Sequence, residues 1–329
     1  MAPNTATIFV DDQNPDIHYL CPVQKQNIFG SYYNNTWTSV ISDDCSKGWF
    51  QYTFNGIGAN IHASFSKSSN FSVKLDNGQF VSQTGNGSWT SPLLTDGEHT
   101  VTYAMGMPKN VYPALDYIAV TAGPSTSLQD KTIIVDNDDS AISYSGSWSK
   151  TSPVSASFDY AKTMYQNSSR WATKAGDSMS FQFEGSSVSL YGMAVFNTTS
   201  LQNITAVYTL DGVSKNWTIS NNTISYLPLL ELFHADVGPG NHTLNFNITN
   251  IVGDRSLAID FVAYNASYSS IQPLPMQALD APSNDWKPKV GISIGVIAGF
   301  ALLLALGLFF WRKTKASQRH QGKQYVEHS

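Results

Sequence analysis

Six tryptophans, Trp37, Trp49, Trp89, Trp148, Trp171 and Trp217, are spread over the first 267 residues of a 329-residue chain. Their chemistry is stacking. A flat aromatic face fits the apolar CH face of a sugar ring, and it fits a packed core as well. Trp148 and Trp171 flank predicted loops rather than strand centres, which makes them ligand candidates, and Trp89 joins them. Proton-transfer chemistry has thinner support. His99 and His242 stand at matching places before a strand, yet no Gly-x-Ser-x-Gly, His-Glu-x-x-His or Gly-rich phosphate loop accompanies them. Glu98 and Glu184 are two of only four glutamates and occupy turns. A carboxylate pair for glycoside hydrolysis is a spatial arrangement that spacing does not reveal. No catalytic residue is expected, and the chain reads as a non-enzyme without a required cofactor. Cys21 and Cys45 are the only cysteines. In an oxidising compartment they read as one disulfide, with two buried free thiols as the alternative.

The segment that must hold these residues in place relative to a membrane is Val290 to Trp311. It has 22 residues and no charge. As a helix it spans about 33 Å, matching a ~30 Å hydrocarbon core. Arg312, Lys313, Lys315, Arg319 and Lys323 follow it, so the tail is expected inside and the long N-terminal part outside. Gly291, Gly295 and Gly299 repeat every four residues, a spacing that lets two helices approach closely and dimerise. The net charge of −5 hides a split of −9 over residues 1–289 and +4 over 312–329. That outer acidity, with only 13% charged residues, excludes a nucleic-acid binder. Met1–Leu20 lacks a basic start and a long apolar stretch, so it does not read as a signal peptide, and a missing segment or an unusual route of translocation is expected. Glycosylation sequons stand at Asn34, Asn70, Asn86, Asn167, Asn197, Asn203, Asn216, Asn221, Asn241, Asn247 and Asn265, all before the apolar segment. These are 11 of 24 asparagines, where composition alone gives roughly 5. The excess favours a glycosylated outer part.

The outer part is one unit written twice. Ile8-Phe9-Val10-Asp11-Asp12 returns as Ile133-Ile134-Val135-Asp136-Asn137, 125 residues later. Phe54-Asn55-Gly56 returns as Phe183-Glu184-Gly185, Leu75-Asp76 as Leu210-Asp211, and Gly97-Glu98-His99-Thr100-Val101 as Gly240-Asn241-His242-Thr243-Leu244. Leu115-Asp116-Tyr117-Ile118-Ala119 returns as Ile259-Asp260-Phe261-Val262-Ala263, at an offset grown to 144. Matches that keep their order while the offset grows mark a duplicated domain with longer loops in the second copy. Period-two alternation, as in Ser178-Met179-Ser180-Phe181-Gln182-Phe183, predicts half-buried antiparallel strands. Asp76-Asn77-Gly78, Asp211-Gly212 and Gly238-Pro239-Gly240 supply turns between them. The expected fold is mainly β: two tandem sandwiches at 5–123 and 131–267, a linker at 124–130, a stalk at 268–289, a transmembrane helix at 290–311 and a tail at 312–329.

An opening Val-Asp-Asp, the run Tyr144-Ser145-Gly146-Ser147-Trp148, a middle Phe-x-Gly, a Gly-x-His-Thr strand and a closing Asp-Tyr/Phe strand follow one another in this order. The order resembles galactose-binding-like β-jelly-rolls, in the tandem form of single-pass membrane proteins of basidiomycete fungi. The resemblance implies glycan recognition and adds Tyr144 to the ligand candidates. It also implies that the first and last strands of each copy lie side by side, where Asp11, Asp116, Asp136 and Asp260 could ligate a structural Ca²⁺. The other reading of these aspartates is turn formation at strand ends. The first copy departs from the pattern, having Cys21 and Cys45 around the region where the second has Tyr-Ser-Gly-Ser-Trp. Together these features predict a type I membrane glycoprotein, at the plasma membrane, whose ectodomain recognises or adheres to surface or wall glycans. A sensor or structural protein binding other proteins is the alternative, and a surface glycoside hydrolase is a third reading.

Overall fold

The structure, a computed structural model, describes residues 5–27, 32–41, 44–106, 111, 113–151, 164–195, 203–219, 229–251 and 255–271. The apolar segment 290–311 with its three glycines, the tail, most of the stalk, and Asn197 and Asn221 lie outside them. Among the described residues no helix is long and apolar enough to cross a membrane.

The first copy runs through β1 (Thr7–Asp11), β2 (Ile17–Tyr19), β3 (Val23–Asn27), β4 (Thr36–Val40), β5 (Asp44–Gly56), β6 (Gly58–Phe65), β7 (Ser69–Leu75), β8 (Val81–Gly85), β9 (Trp89–Thr90), β10 (Gly97–Gly106) and β11 (Pro113–Thr121). The second runs through β12 (Thr132–Asp136), β13 (Ile142–Ser145), β14 (Arg170–Ala172), β15 (Ser178–Val195), β16 (Ile204–Leu210), β17 (Val213–Ile219), β18 (Leu230–Asn250) and β19 (Ser256–Ala266). Each copy is a β-sandwich. One layer has the order β2-β5-β10-β7-β8 in the first copy. The equivalent strands of the second pair in the same order, β13-β15-β18-β16-β17.

Alternation sorts the faces. On β6, Ile61, Ala63 and Phe65 are buried while Asn60, His62 and Ser64 face away from the core. On β11 and β19 nearly every residue is buried, which requires cover on both faces. The cover on the outer face comes partly from each strand's own copy and partly from the other copy. β1 pairs with β11 on one side and with β12 on the other, through Thr7 opposite Ile134 and Ile8 opposite Ile133. β12 in turn pairs with β19. One continuous sheet therefore crosses from copy to copy, and both fall in one compact unit, Met1–Leu274.

The outer face of this shared sheet carries a second core. Phe9 stacks on Tyr117 at 4.3 Å between ring centres, and Tyr191 stacks on Phe261 at 4.8 Å. Phe9 and Phe261 meet edge-on at 5.6 Å across the junction. Tyr33 and Tyr165, each opening a single 3₁₀ turn, cover this row from the two copies. In the expected linker, 124–130, Thr126 and Leu128 are buried while the other five residues are exposed. Leu128 is fully buried, and its N–H donates to the Ser269 carbonyl at 2.9 Å. Cys21 and Cys45 form the disulfide, with Cα atoms 5.8 Å apart.

Candidate functional site

A recess of about 650 Å³ lies where the copies meet. That is within the ~300–1,000 Å³ typical of small-molecule sites. β6 and β11 supply Asn60, His62 and Tyr117, the β9 region supplies Trp89, Thr90, Pro92 and Leu93, and the second copy contributes Met164 to Asn167. The register explains the first group. Asn60 lies opposite Thr90 and donates its amide to the Thr90 hydroxyl at 3.1 Å. His62 lies opposite Tyr117, and the rings stack at 4.6 Å and 5°. Burial pushes the His62 imidazole down to about 4, so it is neutral at physiological pH, with one nitrogen donating and the other accepting. No Asp, Glu, Lys or Arg is among the described residues of the lining. The lining offers amides, hydroxyls, aromatic rings and an apolar lip at Leu93, which is 84% exposed.

The sequence candidates are placed as follows. Trp89 lines the cleft, but it pairs opposite the core residue Ile61 and is half-buried against the core. Only part of its surface is available. Trp171, expected as a sugar contact, is 2% exposed and packs among Met164, Met193, Val195 and Ala258. Pairing of β14 with β19 turns it inward, so it is a core residue. Tyr144 and Trp148 lie together at 5.0 Å, away from the cleft lining. The Trp148 indole N–H is committed to the carbonyls of Ser145 and Ser178. The Arg170 guanidinium sits 5.3 Å over the Tyr144 ring, and Arg170 and Lys150 both pair with Asp138. This corner is self-contained. Asn60, His62, Tyr117 and the 165–167 turn were missed; the polar face of β6 is visible as alternation, but its meeting with the second copy is not.

The aspartates expected at a Ca²⁺ site make turns and buried hydrogen bonds. Asp11 accepts from the Gln13 N–H and Asp136 from the Asp138 N–H, both at 2.9 Å, the turn-forming arrangement. Asp116 and Asp260 are buried inside β11 and β19. Each accepts the backbone N–H that opens a 3₁₀ turn, from Tyr33 at 2.8 Å and from Tyr165 at 2.9 Å. Burial raises both carboxyls well above the ordinary range. Among the described residues no group of three or more His, Cys, Asp or Glu is placed to hold a metal ion.

His99 and His242 are turn pins. His99 Nδ1 meets Asp76 at 2.9 Å and its Nε2 meets the Thr95 carbonyl at 2.8 Å. His242 repeats this with Asp211 at 2.6 Å and the Gly238 carbonyl at 2.7 Å. Of the described sequon asparagines, Asn34, Asn70, Asn86, Asn167, Asn216, Asn241 and Asn247 are exposed, while Asn203 and Asn265 are half-buried.

No family model and no curated protein matches the chain. Among solved structures, it has likeness to a two-domain esterase active on acetylated mannans, co-crystallised with mannopentaose. The identity is 20%, over 44% of this chain and 38% of that one, with a TM-score of 0.31. This chain thus spans about two fifths of that enzyme's length. The tandem CBM22-1-CBM22-2 domains of Paenibacillus barcinonensis Xyn10C are 9% identical over 78% and 93% of the two chains, with a TM-score of 0.25. The ANX1 ectodomain of Arabidopsis thaliana is 9% identical over 79% and 95%, also at 0.25. Scores of this size carry no argument about function.

Proposed function

We propose that this chain is a single-pass membrane glycoprotein whose paired β-sandwiches, of the galactose-binding-like kind, bind a neutral glycan in the cleft between the copies. The observation that carries the reading is the lining: amides, hydroxyls and aromatic edges drawn from both copies, with no charged side chain among the described residues. Such groups exchange hydrogen bonds with sugar hydroxyls, and the aromatic and Leu93 surfaces accept CH faces. An acidic polysaccharide would need cations, and none is among the described residues of the lining. Recognition is favoured over hydrolysis because the described residues of the lining include no carboxylate for general acid catalysis. The apolar segment 290–311, the basic tail, the exposed sequons and the disulfide support an outward-facing ectodomain at the plasma membrane. Pairing through Gly291, Gly295 and Gly299 would double the number of clefts and raise avidity.

The test uses the full chain in detergent, produced in a host that adds no N-glycans, so that no attached sugar competes. A glycan array should show saturable binding to a neutral glycan class, insensitive to salt. His62→Tyr copies the residue that the second copy has at the equivalent place, Tyr191, and it should intrude on the cleft, remove the imidazole and weaken binding by about tenfold or more. A blank array from a folded sample, or binding untouched by His62→Tyr, overturns the reading.

A further inference from the structure

Two sequons from different copies meet on the same cleft. Asn86-Gly87-Ser88 lies between β8 and β9, and Asn167-Ser168-Ser169 leads from the 3₁₀ turn of the second copy into β14. They are 81 positions apart in sequence, yet Asn86 and Asn167 both line the recess and both are exposed. We propose that N-glycans carried on Asn86 and Asn167 lie in this cleft and close it to external ligand, so that the glycosylation state sets whether the protein can bind. The proposal rests on the neutral-glycan reading of the cleft. It adds which sugar is the first occupant.

The chemistry is the same as for an external glycan. The first residue of an N-glycan brings hydroxyls and an acetamide, and the lining brings Asn60, Thr90 and Gln166 as partners with Leu93 as an apolar lip. The difference is the tether. A sugar attached at the rim has an effective concentration in the millimolar range, so a shallow site with weak affinity is filled from within. Both attachment points are anchored. The Asn86 carbonyl accepts the Phe65 N–H at 2.7 Å, and the Asn167 N–H donates to the Met164 carbonyl at 3.0 Å. Each glycan therefore starts from a defined position on the rim.

The experiment takes the full chain expressed in a eukaryotic host. Glycopeptide mass spectrometry reads occupancy at the two asparagines. Hydroxyl-radical oxidation of Leu93 and Trp89 is then compared before and after enzymatic glycan removal from the folded protein, with Trp148 as internal reference. Oxidation of Leu93 and Trp89 should rise about twofold or more, as for surface uncovered when a ligand leaves its site, and Trp148 should not change. The double variant Asn86→Gln with Asn167→Gln should show the uncovered pattern without enzyme and should bind array glycans about tenfold more tightly than the glycosylated protein. Unmodified asparagines at both sites, or oxidation that is the same with and without glycans, overturns the proposal. The two readings fail separately. A blank array with a clear rise in oxidation removes the external ligand and leaves the glycan placement. Array binding with unchanged oxidation removes the placement and leaves the ligand.

Discussion

The two copies share a backbone and differ in what they do with one position. His62 in the first copy and Tyr191 in the second are equivalent: each lies opposite the aromatic residue that follows the buried aspartate, Tyr117 or Phe261. Tyr191 is longer and its hydroxyl reaches Asn34 of the first copy at 3.2 Å and Glu231 at 3.4 Å. Tyr33 closes against the Tyr191 ring at 5.4 Å. The equivalent place in the first copy ends at an imidazole, and a 650 Å³ recess remains in front of it. A duplicated fold thus yields one closed junction, which holds the copies together, and one open junction, which is available to a ligand. The copies also differ in stapling and in their buried polar groups, and these differences are open to test.

The largest effect is expected at the disulfide, which has no counterpart in the second copy. Bridging Cys21 to Cys45 closes a loop of about 25 residues, worth about 3.5 kcal/mol in the chain-entropy account. Cys21→Ser should lower the melting temperature by about 7–14 °C in a unit of this size. Because β1 pairs across to β12, the loss should appear as one shifted transition in calorimetry. Two separated transitions would show that the shared sheet does not couple the copies.

Next in size is the exchange of Asp12 for Asn137. Asp12 is fully buried and accepts from the hydroxyls of Thr36 at 2.6 Å and Thr38 at 2.5 Å. Burial raises its carboxyl to about 6 against the two hydroxyls. From about pH 4 to pH 6 the folded state keeps a proton that the unfolded chain has released, so rising pH lowers stability across that window. At pH 7 the cost approaches about 3 kcal/mol. Asp12→Asn should remove this cost and raise stability at pH 7 by about 2 kcal/mol once the altered hydrogen bonds are counted. Asn137→Asp should do the reverse, because Asn137 donates to Ser168 at 2.7 Å and an ionised carboxylate cannot. Urea melts of both variants at pH 4 and pH 7 read the two signs. The same sign for both would mean that the two pockets are not equivalent.

What was legible in the sequence is what the backbone demands. Phe-x-Gly recurs because a Cβ on Gly56 would lie 2.5 Å from the Thr121 carbonyl oxygen, and one on Gly185 2.5 Å from that of Asn265. Asp116 and Asp260 recur because each must receive the N–H that opens a 3₁₀ turn. The strand pattern, the duplication and the disulfide follow from such local requirements. The cleft was not legible. His62 and Gln166 are 104 positions apart, and only the β1 to β12 pairing brings their copies into one sheet. A tryptophan in isolation was also ambiguous, since Trp171 faces a core that β14 reaches only by pairing with β19.

The smallest effect is the one expected to be equal in the two copies. The Thr95 carbonyl and Asp76 hold the His99 imidazolium above its ordinary range. At His242, burial works against protonation, but Asp211 and the Gly238 carbonyl outweigh it, and the shift is again upward. Asp76 and Asp211 are held below the ordinary carboxylate range, the former by His99 and the Thr100 N–H despite its burial, the latter mainly by His242. The histidine contribution is complete below about 6.5 and is lost as pH rises through the folded value. The aspartate contribution is complete above about 4 and is lost as pH falls through its own folded value. Each pin is therefore strongest between these limits, and a surface pair of this kind, with a largely covered histidine and an exposed aspartate, is worth on the order of 1 kcal/mol. NMR titration of the imidazoles should show both histidines above 6.5. Asp76→Asn should lower His99 alone, and Asp211→Asn should lower His242 alone, by similar amounts. Unequal shifts would mean that the turns at Asp76 and Asp211, whose φ angles are 52° and 51°, share a backbone without sharing an electrostatic environment. The divergence between the copies would then extend beyond the junction into the turns that the repeat keeps most closely.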